Sequence, residues 1–112
     1  MTRTTLALLL MVSPANALCM LPPAQYDHAP RVAPILLFDA PERVRYTCER
    51  RGIAQRQGVG CEGGLGLSGW WAILPLGTGD QEDCSLRHAF GHENMREQTG
   101  DPGAMHDGWT AR

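Results

Sequence analysis

Four histidines stand in this chain of 112 residues, and two of them, His88 and His92, are spaced four apart inside the segment QEDCSLRHAFGHENMREQ (81–98). On a helix that spacing projects two imidazoles from one face about one turn apart, close enough to share a cation. His106 follows beyond TGDPGAM, a turn-rich stretch able to fold back over that face. Three neutral imidazoles suffice as the protein ligands of Zn²⁺, with a fourth position left for water. The expected ligand set is therefore His88, His92 and His106, and the expected cofactor is Zn. Asp101 and Asp107 compete with His106 for the third place, but imidazole suits Zn²⁺, and Asp107 beside His106 can act as its orienting partner. His28, within Tyr26-Asp27-His28, reads as part of a hydrogen-bonded arm.

These side chains need elements to position them. In the histidine helix Glu82 and Asp83 suit the positive end of the dipole, and Thr78 or Asp80 can cap it. Leu86, Ala89 and Phe90 form one apolar strip, and Cys84, His88, Gly91, His92 and Met95 another. Upstream, PILLFDA (34–40) has the apolarity of a buried strand, and Asp39-Ala40-Pro41 opens a helix with Asp39 as its cap. That helix, ERVRYTCERRG, turns Val44, Cys48 and Tyr46 inward and ends at Gly52. WWAILPL (70–76) alternates as a strand, so Trp70 and Trp71 face opposite sides. The prolines of CMLPPAQYDHAPRVAP (19–34) make it an extended, docked arm. GVGCEGGLGLSG (58–69) is a hairpin connection and not a phosphate loop, since no Lys-Ser/Thr pair follows its glycines. The tail 99–112 is irregular, anchored by Trp109. Arg43, Arg45, Arg50 and Arg51 form a solvated face balanced by Glu42 and Glu49.

All ten basic residues are Arg, set against twelve acids for a net charge of −2, so no basic field exists to hold nucleic acid. Aromatics are only 6 % of the chain while Gly (13) and Pro (8) are abundant, which describes one small domain with a thin core. Residues 1–17 read as a cleaved secretory signal: an Arg near the start, an apolar run from Leu6 to Val12, a Ser-Pro break, and Ala15-Asn16-Ala17 as a small-x-small site. That run is far short of the roughly 20 residues that cross a bilayer, and no later stretch reaches that length. Leu18, before Cys19, argues against lipid attachment. Residues 18–112 then form a single domain, periplasmic or secreted.

All four cysteines, Cys19, Cys48, Cys61 and Cys84, lie in that domain. An even count in a short exported chain reads as two disulfides, each worth about 2–4 kcal/mol. Three pairings remain open. Cys48–Cys61 closes a short local loop, and Cys19–Cys84 ties the N-terminus to the last helix. A cysteine metal site is disfavoured because no CxxC spacing occurs.

The helix LRHAFGHEN (86–94) resembles the LRHExxHxN helix of the HExxH metallopeptidases, in particular small exported bacterial proteins of that type. CMLPPAQYDH (19–28), VRYTC (44–48), GVGC (58–61) and WWAILP (70–75) follow the order of segments seen in such proteins, so the likeness spans most of residues 18–112. The resemblance implies a zincin-like Zn site acting on a peptide or protein substrate. The chain departs from the pattern in the spacing beyond His92, where Asn94 is followed by MREQTGDPGAMHDGW, and at Ala89, which stands where the motif carries the Glu that takes a proton from the metal's water. General bases typically contribute about 10²–10⁴-fold, and a methyl group accepts no proton, so no catalytic residue is assigned. Glu93 is rotated away from both histidines and is expected to face solvent. Asp27, Asp101 and Asp107 sit on irregular segments.

The expectation is an α+β fold: a small disulfide-stapled domain with a short antiparallel sheet, two helices and irregular N- and C-terminal arms. Its expected function is that of an exported metallopeptidase-like, Zn-binding protein impaired in catalysis, a pseudoenzyme. The competing reading is a metal-free exported binding or structural module; zinc sequestration without turnover uses the same three ligands.

Overall fold

The computed structural model describes residues 18–53, 59–65 and 69–112; the expected signal peptide lies outside the described residues. In chain order the elements are β1 (Met20–Leu21), a 3-10 turn (Ala24–Tyr26), β2 (Ile35–Asp39), α1 (Pro41–Arg50), β3 (Cys61–Gly63), β4 (Trp71–Pro75), α2 (Asp80–Thr99) and β5 (Thr110–Ala111). The fold is α+β, with two helices, short sheets and two disulfides.

Three strands pair in the order β2-β4-β3. β3 runs antiparallel to β4, as expected, whereas β2 runs parallel to it, with Leu37 beside Ile73. Parallel neighbours need a crossover, and α1 lies within the connection. Side chains alternate across the sheet and give each helix its own core. On one face Val44 and Cys48 of α1 pack with Cys61 and Ile73, flanked by Leu37, Ile53 and Trp71. On the other, Ala89 of α2 packs with Trp70 and Ala72, flanked by Val32, Leu65 and Phe90. The adjacent tryptophans divide as their alternation requires. Trp70 is buried and donates its indole N–H to the Val32 carbonyl at 2.6 Å. Trp71 is partly covered by the Arg51 guanidinium, 4.8 Å from the ring centre.

Several local expectations are corrected. β2 is not a buried strand: it lies at the edge, with Ile35 68 % and Phe38 46 % exposed, and Leu37 is its contribution to the core. Tyr46 is likewise exposed and meets Arg50. Asp39 does not cap α1, whose N-cap is Ala40; its carboxylate accepts from the Ala40 N–H and the Thr47 hydroxyl. Neither Thr78 nor Asp80 caps α2: that position falls to Gly79 at φ 61°, and the Thr78 hydroxyl donates to the Pro75 carbonyl. The tail is less irregular than expected, since β5 pairs antiparallel with β1, Met20 opposite Ala111.

The disulfides are Cys48–Cys61, joining α1 to β3, and Cys19–Cys84, joining the residue before β1 to the second turn of α2 across 65 residues of sequence. Such bridges belong to an oxidising environment. No described helix is long and apolar enough to cross a membrane.

Candidate metal centre

α2 carries its first two candidate ligands one turn apart. His88 is half-buried and His92 buried. Gly100, at φ 83°, ends the helix in the left-handed conformation and returns its N–H to the Arg96 carbonyl at 2.8 Å. The chain then reverses. Asp101 accepts the Gly103 N–H at 2.8 Å, the His106 N–H reaches the Gly103 carbonyl at 2.8 Å, and the Trp109 N–H reaches the His106 carbonyl at 3.1 Å. These tight turns bring His106 back over α2.

The three rings converge through one atom each. The Nε2–Nε2 separations are 3.0 Å for His88 and His92, 3.1 Å for His92 and His106, and 3.3 Å for His88 and His106. The other ring nitrogen explains why Nε2 is the atom presented. His88 Nδ1 lies 2.6 Å from the Met20 carbonyl oxygen and His92 Nδ1 2.7 Å from that of Pro102. A carbonyl only accepts, so in both rings Nδ1 carries the hydrogen and the neutral ring keeps its Nε2 lone pair. Trp109 packs against all three, its ring centre 4.8, 4.5 and 4.8 Å from those of His88, His92 and His106.

Electrostatics favour the neutral rings. Burial, then the neighbouring His92, pushes His88 down to about 4, against the opposing bond to Met20. Burial also lowers His92 and His106. All three shifts favour the uncharged imidazole, and His88 and His92, whose Nδ1 hydrogens are taken by carbonyls, turn their Nε2 lone pairs toward His106 Nε2. Tetrahedral Zn–N bonds of 2.0–2.1 Å require nitrogens about 3.3 Å apart. The observed triangle is within a few tenths of an ångström of that figure, so the residues fit a divalent metal ion. Among the described residues, these three form the only cluster of His, Cys, Asp or Glu able to hold one.

The rival residues lie outside the cluster. Asp27 is bound by Arg87, with Oδ1 3.1 Å from Nε, and that guanidinium holds its carboxyl below the usual range. Asp101 serves the Gly103 turn, and Asp107 is exposed. His28 is structural, as expected, its Nε2 3.1 Å from the Gln25 carbonyl. Glu93 departs from expectation: it is fully buried and paired with Arg96 through bonds of 3.0 and 3.2 Å. The reason is that α2 is covered on most of its circumference. Ala89, the residue after His88, is 2 % exposed and packs into the Trp70–Ala72 core.

The arm leading to His28 docks on α2, as expected, through partners that residue types alone did not reveal. Asn94 donates to the Tyr26 and His28 carbonyls at 2.9 and 2.7 Å, and Pro22 lies on the helix at Gly91. Carbonyls and close backbone approaches leave little mark on a sequence; the prolines and Gly91 were the only signals. In comparisons with known proteins, no family model, no curated protein and no solved structure matches the chain.

Proposed function

We propose that this protein is an exported, zincin-like Zn²⁺-binding protein with His88, His92 and His106 as ligands and with impaired hydrolytic capacity. The observation that carries the reading is the triangle of Nε2 atoms, 3.0–3.3 Å on a side, two of them fixed in tautomer by backbone carbonyls. Nitrogen donors in this number suit Zn²⁺, and soft sulfur ligands are absent from the cluster among the described residues. A bound Zn²⁺ would supply Lewis acidity and activation of water. The chain's own part is to hold three neutral rings, orient two of them, and cover the cluster with Trp109. What it does not provide beside His88 is a carboxylate: Ala89 cannot move a proton, which supports metal binding with little or no peptide hydrolysis. The disulfides and the 1–17 segment support a periplasmic or secreted location.

Elemental analysis tests the reading directly. Protein purified without chelator is expected to carry one equivalent of zinc, and the His88→Ala/His92→Ala variant none. Equal zinc in the two proteins would overturn it.

A further inference from the structure

We infer that the Cys19–Cys84 disulfide is the positioning device of the metal centre, setting metal affinity through two of its three ligands. The inference rests on the Zn²⁺ reading above and extends it to how the site is assembled. Cys84 stands one helical turn before His88 on the same face of α2. The bridge from Cys84 therefore delivers the next residue along the arm, Met20, to the ring that needs it, and the Met20 carbonyl accepts the His88 Nδ1 hydrogen at 2.6 Å. Released from the bridge, that carbonyl has no covalent reason to stay, and Nδ1 and Nε2 of His88 become interchangeable carriers of the hydrogen.

The same short segment also holds the third ligand. β1 pairs with β5, the Leu18 N–H reaches the Arg112 carbonyl at 2.7 Å, and the Arg112 N–H reaches the Cys19 carbonyl at 3.0 Å. β5 directly follows Trp109, and the turn between His106 and Trp109 is closed by a single backbone bond. The tail that presents His106 is thus tethered to α2 through β1 and the bridge. Cys48–Cys61 has no such connection: it lies in the core on the opposite face of the sheet. The two disulfides, alike in chemistry, are placed to do different work.

The test compares Cys19→Ala/Cys84→Ala with Cys48→Ala/Cys61→Ala in Zn²⁺ competition against a chromophoric chelator. Alanine is used because free thiolates are themselves zinc ligands. Loss of groups that orient metal ligands typically weakens binding by roughly 10- to 100-fold; that loss is expected for the first variant, with near-wild-type affinity for the second. In the metal-free proteins, NMR of the histidine ring nitrogens is expected to find His88 as the Nδ1–H form in wild type and as a mixture of tautomers in the first variant. Deletion of residues 110–112 keeps the bridge and removes the β1–β5 pairing. It is expected to weaken Zn²⁺ binding while leaving the His88 tautomer unchanged. Equal affinity and an unchanged tautomer in Cys19→Ala/Cys84→Ala would overturn the inference and leave the Zn²⁺ reading standing, whereas absence of Zn²⁺ binding by wild type would overturn both. A Cys19→Ala/Cys84→Ala chain that stays unfolded even with excess Zn²⁺ would assign the bridge to the whole fold, and would also overturn it.

Discussion

His106 has φ 59°, in the left-handed region that non-glycine residues seldom occupy, and it is the only described non-glycine residue there. Backbone strain of this kind persists where surrounding contacts over-determine it. Here the turn bonds to Gly103 and from Trp109 do so, and the result is an imidazole aimed at two others. At the same scale, the proposed impairment of hydrolysis rests on Ala89. Ala89→Glu is expected to raise peptide hydrolysis above the wild-type level if the missing carboxylate is the defect; a chromogenic peptide assay with Zn²⁺ present reads it, and no gain would count against the degenerate-enzyme reading. The substitution also inserts a charge beside Trp70 and Ala72, so the metal-free variant should melt below wild type. The assay therefore belongs at a temperature where circular dichroism shows both proteins folded.

At the scale of elements, the centre is an agreement among α2, the N-terminal arm and the tail. Gly91 is where all three touch: a Cβ there would lie 2.5 Å from Pro22 and 3.0 Å from the Trp109 ring. Alanine is the better helix former by about 1 kcal/mol, but overpacking costs about 1–3 kcal/mol, and a rigid proline ring and a packed indole give little ground. Gly91→Ala is thus expected to lower stability in denaturant melts and weaken Zn²⁺ binding together; a gain in stability would show that the arm sits more loosely. The helices were legible because their signals are local: Pro41 in the first turn and Gly52 just past the end of α1, and a four-residue histidine spacing in α2. The burial of β2 was not legible. Ile35, Leu36 and Phe38 read as core by composition, yet a strand's exposure depends on which neighbours it has, and β2 took an edge. Glu93 failed in the opposite sense, because an acid reads as surface until Arg96 and the covering segments are known.

At the scale of the whole molecule, a small aromatic-poor chain is held by two thin cores and two bridges, and a ligand that binds only the folded state adds to them. Free Zn²⁺ at a hundred times its dissociation constant adds about 2.7 kcal/mol. For a domain of this size, 1 kcal/mol moves the melting temperature by roughly 4–8 °C, so a rise on the order of 10–20 °C is expected. Excess chelator should reverse it, and a melting temperature indifferent to both would favour the metal-free module. The sequence by itself determined the α+β class, the positions of the helices, the even cysteine count and the pairing of His88 with His92, because each depends on spacing within one element or on composition. Only the tertiary structure decided among the three disulfide pairings, brought His106 to the cluster instead of Asp101 or Asp107, and set the Met20 and Pro102 carbonyls behind the rings. Those are contacts between segments up to 68 residues apart, and their geometry comes from chain reversals and packing that no local pattern encodes.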